Sequence, residues 1–226
     1  EQVQVPLAVR HARPGGATED RFPVVRREVA VLSLPVAEHV AGTLGAAGSG
    51  RESLLEPVVL VGRVVRDEVD DHPDAELLVL TSCTYDGLRY DLKPIIDAAH
   101  RQNIKVLIDE AWYAHARFHP ALRPTALEAG ADYATQSAHK TLSALSQAAY
   151  IHVNDPTFNE HIFRENFNMH TSTSPMYSMI ASLDVSRKQS VLEGYKLLQR
   201  TLMLADELRE QINSTGVFRV LELDDL

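Results

Sequence analysis

Lys140 is the residue of this sequence best suited to covalent chemistry. It lies within residues 135–149, which are rich in small and hydroxyl side chains and almost free of other charge. Ser137 and His139 precede it closely. Burial among small residues would disfavour the ammonium form, so the amine would become a better nucleophile able to form a Schiff base. The stretch is read either as a reactive lysine or as an ordinary surface lysine on a loop.

A carboxylate stands at a second predicted strand end. Residues 104–108 (Ile-Lys-Val-Leu-Ile) are typical of a buried parallel strand, and Asp109 follows directly. Residues 132–135 are predicted to form the next strand, which leads into Lys140. Ligands of open α/β sheets bind beyond the carboxyl ends of the strands. We therefore expect Asp109 and Lys140 to lie around one small ligand.

These residue types match the needs of pyridoxal phosphate (PLP). That cofactor requires a lysine for its attachment, a carboxylate facing the pyridinium nitrogen, and polar groups for its phosphate. It also requires something flat or small against each ring face. Asp109, Lys140, Ser137 and the small Ala111 match by type and by predicted place.

The elements that must position these residues alternate between strands and helices from about residue 74. Asp91 is placed to cap the first helix, and Asn103 and Gly130 are predicted to end helices. The alternation predicts an α/β fold with a mainly parallel sheet flanked by helices. The predicted strands are residues 77–81, 104–108, 132–135, 147–153 and 217–223, and the predicted helices are 92–102, 125–129, a stretch ending at 166, 177–187 and 191–213.

The last predicted helix carries apolar residues at three- and four-residue steps, which predicts a surface helix that packs one stripe on the core. The stripe consists of Leu192, Tyr195, Leu198, Leu202, Ala205, Leu208 and Ile212.

The first third of the chain is less regular. Valine-rich runs at 29–36 and 57–65 are predicted strands, and the glycine-rich residues 42–50 between them read as a flexible connector. Those glycines lack the Lys-Ser/Thr ending of a phosphate-binding P-loop. We predict an amino-terminal segment of uncertain fold at 1–73 and a core domain at 74–226.

Composition excludes several classes of protein. The net charge of −9, with no dominant basic cluster, argues against a nucleic-acid-binding surface. The single cysteine, Cys83, is compatible with a reducing cytoplasm. We found neither an apolar run of membrane-spanning length nor a secretory signal. A cytoplasmic protein without membrane contact is expected, and both ends look cut, so the domain is expected to be incomplete.

Residues 135–149 resemble the PLP-attachment signature of the bacterial ornithine/lysine/arginine decarboxylase family, with every constrained position filled. The resemblance extends to residues 81–91, 108–120 and 163–188 and covers roughly 77–226. It implies the large domain of a fold-type-I PLP-dependent transferase. It also implies α-decarboxylation of arginine, lysine or ornithine to an amine and carbon dioxide. Homodimers or larger homo-oligomers with the active site at the subunit interface are implied as well.

The resemblance assigns roles by position. Lys140 would be the Schiff-base lysine and Asp109 the partner of the pyridinium nitrogen, while Ser137 and His139 would lie at the phosphate side. Alternatively, His139 is a structural histidine. The residues expected beside the cofactor ring are Ala111 and Trp112.

The hydroxyl-rich residues 171–175 resemble the family loop that approaches a neighbouring subunit's active site, and they can also be read as a solvated loop.

The first third departs from the family pattern. Asp20-Arg21 continues without the histidine that stacks on the cofactor, and neither His11 nor His39 has a matching context. Two alternatives therefore stay open. One is a homologue that does not bind PLP and acts only as an associating subunit, and the other is a different fold-type-I reaction such as transamination or oxidation.

Two further chemistries are disfavoured. His115 and His119 have the spacing of metal ligands on a helix, but Pro120 disrupts a helix there and no H-E-x-x-H pattern occurs. No G-x-S-x-G sequence supports a serine hydrolase.

Overall fold

In a computed structural model of the chain, the structure describes residues 31–33, 65, 67, 69–84, 87–172 and 174–220. The predicted connector at 42–50 and nearly all of the predicted strand at 57–65 lie outside these ranges. Val65, the one described residue of that strand, is helical. Residues 217–220 form no strand, and the rest of the strand predicted at 217–223 lies outside the described residues.

A five-stranded sheet organises the fold, with its strands in the order of the sequence. The first four strands run parallel to one another, and β5 pairs antiparallel with β4. Short apolar runs that end at polar or turn residues account for the strands. They are β1 (Val31–Ser33), β2 (Leu77–Thr81), β3 (Lys105–Asp109), β4 (Tyr133–Ser137) and β5 (Ala149–Val153).

The direction of β5 corrects the expectation of parallel pairing by crossovers. Only residues 138–148 connect β4 to β5, and they form a short helix and turns. A parallel crossover needs a dozen or more residues, whereas a short connection returns the chain antiparallel. Ser137 consequently pairs with Ala149 at the site end of the two strands.

Local signals explain where several helices begin and end. Thr125 caps a helix through a capping box with Glu128, and Gly130 ends it at a φ of 105°. Asn103 follows the first described long helix at a φ of 61°. Asp91 occupies the predicted N-cap position, although its side chain makes no capping hydrogen bond. The helices are α1 (Leu92–Arg101), α2 (Ala126–Ala129), α3 (Ala138–Thr141), α4 (Glu160–His170) and α5 (Tyr177–Ser214), and two 3-10 turns cover Ala116–Phe118 and Pro120–Leu122.

α5 is one helix of 38 residues where two were predicted. The predicted break at residues 188–190 contains neither proline nor glycine. The Ser190 hydroxyl donates a hydrogen bond to the Ser186 carbonyl of the same helix at 2.8 Å. None of the helices in the described ranges combines the length and apolar character needed to cross a bilayer.

The core lies on one face of the sheet. Leu78 and Leu80 of β2 and Val106 and Ile108 of β3 alternate with less buried neighbours, and α1 packs Ile95 and Ile96 into the same cluster. Side chains alternate between the two faces of a strand, so Asp109 belongs to the other, more open face and Glu110 to the buried one.

The packing of α5 also differs from the prediction. Of the expected core stripe, Leu192 is 71% exposed and Leu208 is 57% exposed. The buried positions of α5 are instead the small residues Ser186, Ser190 and Gly194. The missing side chain at Gly194 lets α5 approach Phe118 of the Ala116–Phe118 turn closely.

Candidate active site

Adjacent strand ends bring the predicted site residues to one edge of the sheet. Asp109 is the last residue of β3 and pairs in register with Thr135 of β4. β4 ends at Ser137, and the chain turns directly into α3, which carries Lys140. Because β3 and β4 are parallel neighbours, Asp109 and Lys140 lie on neighbouring segments at the same edge of the sheet.

Asp109 is held by groups on both strands. Its Oδ1 atom accepts a hydrogen bond from the Ala111 backbone N–H at 2.8 Å and lies 3.5 Å from the Thr135 hydroxyl, which donates. Oδ2 accepts no hydrogen bond from the part of the chain that the structure describes. The carboxylate is therefore oriented through Oδ1 alone among the described residues.

Among the described residues, Lys140 contacts Trp112 rather than a carboxylate. Its Nζ atom lies 4.7 Å from the centroid of the Trp112 ring, a cation–π geometry. The burial among small residues that was expected for Lys140 is not found, because Lys140 is exposed and Trp112 is 47% exposed. The segment after β4 projects from the edge of the sheet, and small neighbours alone do not bury a lysine.

Ser137 and His139 flank the turn from β4 into α3. The Nδ1 atom of His139 lies 2.9 Å from the Ala148 carbonyl, which also accepts from the His139 backbone N–H at 3.3 Å. Because a carbonyl only accepts, Nδ1 carries the proton and Nε2 is left for another partner. The Ser137 hydroxyl makes no capping bond within α3.

Glu110 is a polar residue of the site region that the sequence analysis missed. It is 1% exposed. Its carboxylate accepts from the Ala126 backbone N–H and from the Gln136 side-chain amide, each at 2.7 Å. Burial raises the pKa of the Glu110 carboxyl more than these two bonds lower it. The alternation of side chains along β3 was the signal that could have located it.

The segment that carries Trp112 is anchored by Arg89, which the sequence analysis also missed. One guanidinium nitrogen, Nη1, donates to the carbonyls of Leu122 and Arg123 at 3.0 and 3.1 Å and contacts the Tyr113 hydroxyl at 3.1 Å. These contacts hold Tyr113, next to Trp112, close to Leu122 and Arg123 at the other end of this segment, residues 112–123.

His115 and His119 are not arranged as a pair of metal ligands. The ring of His119 accepts from the Ala121 backbone at Nδ1, approaches Gln199 at 3.2 Å through Nε2, and stacks on Tyr195 at 5.1 Å. Burial lowers the pKa of His115. The His119 ring belongs to the packing between this segment and α5, whereas the His115 ring contacts Tyr113 edge to face with centroids 5.5 Å apart.

The hydroxyl-rich loop is exposed at residues 171, 172 and 174. Its hydrogen bond from the Ser174 backbone to the Ser172 hydroxyl at 3.2 Å is internal. The prediction that this loop approaches a neighbouring subunit stays a prediction.

A cavity of about 550 Å³ lies on the other face of the sheet, lined in part by Gln136, Tyr150 and His152. Gln136 and Tyr150 are register partners, and Gln136 lies on the face of the sheet opposite Thr135, the partner of Asp109. Leu142, two residues after Lys140, also lines the cavity.

Comparison with known proteins gives the chain a family. A family model described as Orn/Lys/Arg decarboxylase, major domain, matches residues 56–224. The arginine decarboxylase of Bacillus cereus is 39% identical over 150 residues, covering 66% of this chain and 33% of that protein. The biodegradative arginine decarboxylase of Escherichia coli is 40% identical over 163 residues, with coverages of 68% and 21%. The lysine decarboxylase LdcA of Pseudomonas aeruginosa is 42% identical over 133 residues, with coverages of 54% and 17%.

The chain thus spans a third or less of the length of these curated relatives. Solved structures show the same fold at low identity. A structure of SPT with PLP has a TM-score of 0.55 at 19% identity and covers 70% of this chain and 42% of that one. The Rhodiola rosea 4-hydroxyphenylacetaldehyde synthase has a TM-score of 0.53 at 16% identity, with coverages of 68% and 35%.

Proposed function

We propose that this chain takes part in PLP-dependent α-decarboxylation of a basic amino acid, because it belongs to the Orn/Lys/Arg decarboxylase family through the match to its major domain. The α/β fold is that of the fold-type-I PLP-dependent enzymes. The substrate would be arginine, lysine or ornithine, and the products an amine and carbon dioxide. The observation that carries the proposal is the placement of Asp109 and Lys140 at adjacent parallel strand ends, with Trp112 against the lysine.

The described residues fit PLP by their chemistry. Lys140 supplies an accessible primary amine for covalent attachment. Asp109 supplies a carboxylate whose Oδ2 can accept from a protonated ring nitrogen. Ala111 and Trp112 supply a small and a flat neighbour for the ring. Ser137 and the Nε2 atom of His139 are the polar groups proposed for the phosphate side.

When bound, PLP supplies an electron sink for the charge left on the substrate Cα as carbon dioxide leaves. Asp109 would keep the ring nitrogen protonated, which makes that sink effective. Its fixed Oδ1, bonded to Ala111 and Thr135, aims the carboxylate without occupying Oδ2. Lys140, which would hold the cofactor, lies beside Trp112 and could hold a proton at Nζ for transfer.

The experiment is a titration of the purified chain with PLP, monitored by the visible absorbance of the lysine-bound cofactor. The chain is expected to develop the band, and Lys140→Ala is expected to abolish it. Lys188→Ala, which changes an exposed lysine of α5, is the matched control and should keep the band. A wild-type chain without the band, or a Lys140→Ala variant that retains it, contradicts the proposal.

The reaction itself is tested with carboxyl-labelled arginine, lysine and ornithine. Decarboxylation releases the label as carbon dioxide, whereas transamination leaves it in the product. The relative release from the three substrates also identifies the preferred amino acid.

A second candidate function is supported by the exposed apolar surface. α4 has no buried residue, and Phe163, Phe167 and Met169 are exposed along it. Exposed apolar side chains of this density mark protein–protein contacts. We infer that the chain assembles with another copy or with a longer family member, an association that would also complete an interface active site. Light scattering with and without PLP separates a self-associating chain from a monomer.

A further inference from the structure

We infer that Glu110 and Gln136 are a positioning pair that sets the spacing between Asp109 and Lys140. The inference deepens the proposed function and rests on it for its meaning, but its physical basis lies in the opposite face of the sheet. Neither residue touches the predicted site. Each is the chain neighbour of a site residue: Glu110 follows Asp109, and Gln136 precedes Ser137.

The pair joins β3 to β4 by a side-chain hydrogen bond beside the backbone ladder. The Gln136 amide nitrogen donates to Glu110 Oε2 at 2.7 Å, and the Glu110 backbone N–H donates to the Thr135 carbonyl at 2.8 Å. The other Glu110 oxygen, Oε1, accepts from the Ala126 N–H at the start of α2. Both oxygens of a nearly inaccessible carboxylate are thus committed to neighbouring elements.

The connection continues to β5. Because Gln136 turns its amide nitrogen to Glu110, its Oε1 oxygen faces Nε2 of His152 at 2.9 Å. That oxygen only accepts, so His152 donates from Nε2. The chain Glu110–Gln136–His152 therefore ties together the three strands whose ends carry Asp109, Ser137 and Ala149.

This arrangement resists relative movement of the strand ends. Sliding β4 along β3 would leave a buried carboxylate or amide without its partner, which costs the desolvation of that group. Asp109 and the turn into Lys140 are attached directly to the two tied residues. Positioning at the site is therefore expected to depend on the buried pair even though the pair makes no contact there.

The test compares Glu110→Ala and Gln136→Ala with the reciprocal exchange Glu110→Gln/Gln136→Glu. The exchange preserves the connectivity, because residue 110 can still accept from Ala126 and donate to residue 136, and residue 136 can still accept from His152. Val106→Ala, a fully buried truncation near the other end of β3, is the control for simple loss of stability.

Two readouts are used. Trp112 is the only tryptophan, so its fluorescence reports on the site without cofactor. The alanine variants are expected to shift its emission to longer wavelength and to weaken PLP binding by about tenfold. The exchange variant should restore the wild-type Trp112 emission and PLP affinity. Val106→Ala should lower the thermal midpoint and leave the emission and the affinity unchanged.

The inference is overturned if the alanine variants lower the thermal midpoint as Val106→Ala does but leave the Trp112 emission unchanged. It is also overturned if a folded exchange variant behaves like the alanine variants. If the wild-type chain binds no PLP, the proposed function fails, and the Trp112 emission of the cofactor-free variants still decides the positioning role.

Discussion

The Nζ atom of Lys140 lies 4.7 Å from the centroid of the Trp112 ring. The two residues come from different segments, since Trp112 lies in the turns after β3 and Lys140 lies in α3, which follows β4. Their contact joins the segments beyond the two strand ends on the open side of the sheet. The Glu110–Gln136 hydrogen bond joins the same two strands on the buried side.

The contact predicts a cofactor-independent signal for Lys140→Met. Removing the cation from the ring face is expected to change the emission intensity of Trp112. The free energy of unfolding should change by less than about 1 kcal/mol, because cation–π contacts at exposed sites are weak. Fluorescence and urea unfolding of the cofactor-free chain measure the two quantities. Lys188→Met should leave the emission unchanged, and an unchanged emission in Lys140→Met would refute the contact.

The second prediction concerns acid unfolding at the other end of the sheet. Burial acts to raise the pKa of Asp155, but hydrogen bonds from Tyr133, Lys105 and Thr157 outweigh it, so the pKa lies well below its ordinary value. A lowered pKa stabilises the fold above the unfolded value of about 3.9, and the stabilisation is lost as the pH falls further.

Asp155→Asn should therefore lower the urea midpoint at pH 7 and flatten its decline below about pH 4. Urea unfolding at a series of pH values measures both effects. Asp184→Asn, which changes an exposed partner of Arg187, is the control and should keep the wild-type decline. If the urea midpoint of Asp155→Asn declined with falling pH as steeply as that of the wild type, other carboxylates would dominate acid unfolding.

Much of the fold follows from local sequence signals. The β2 strand has the predicted bounds, β3 and β4 lie within two residues of theirs, and Thr125 and Gly130 bound α2 as their chemistry requires. These features depend on a few adjacent residues, which is why a single sequence predicts them. The likeness to the decarboxylase family was confirmed for the same reason, since its motifs are contiguous blocks.

The features that were wrong have different causes. The antiparallel direction of β5 follows from the short connection at 138–148, which is a local cause, whereas the exposure of Lys140 depends on what packs against the sheet edge. The apolar periodicity in α5 correctly marked a helix, but Ser186, Ser190 and Gly194 determine the face that packs. Glu110 was not predicted because it follows the apolar run of β3 and its burial arises from Ala126 and Gln136, which are distant in sequence.

The third prediction concerns the pH dependence of stability through Glu110. Burial raises the pKa of its carboxyl above the ordinary value. A raised pKa in an acid gives stability that is fully present below the unfolded pKa and is lost as the pH rises through the folded value. Replacement by the neutral Glu110→Gln removes that loss.

The stability of Glu110→Gln relative to wild type should therefore increase as the pH rises above the unfolded pKa of about 4. Urea midpoints over this range measure the difference. Glu193→Gln, on the exposed surface of α5, should track the wild-type curve at a constant offset. A constant offset for Glu110→Gln would mean that its carboxyl titrates normally.

The last prediction tests the close approach of α5 to the Ala116–Phe118 turn. A Cβ atom at Gly194 would lie 2.9 Å from the Cβ of Phe118, which is closer than real carbon contacts and involves an atom fixed to the backbone. Overpacking of this kind costs about 1–3 kcal/mol, while exchanging glycine for alanine within a helix returns about 1 kcal/mol. Gly194→Ala should therefore lower the free energy of unfolding by up to about 2 kcal/mol, whereas the exposed neighbour variant Glu193→Ala should change it little. Thermal and urea unfolding measure the stability of the two variants. A Gly194→Ala variant more stable than the wild type would mean that α5 does not pack on this turn.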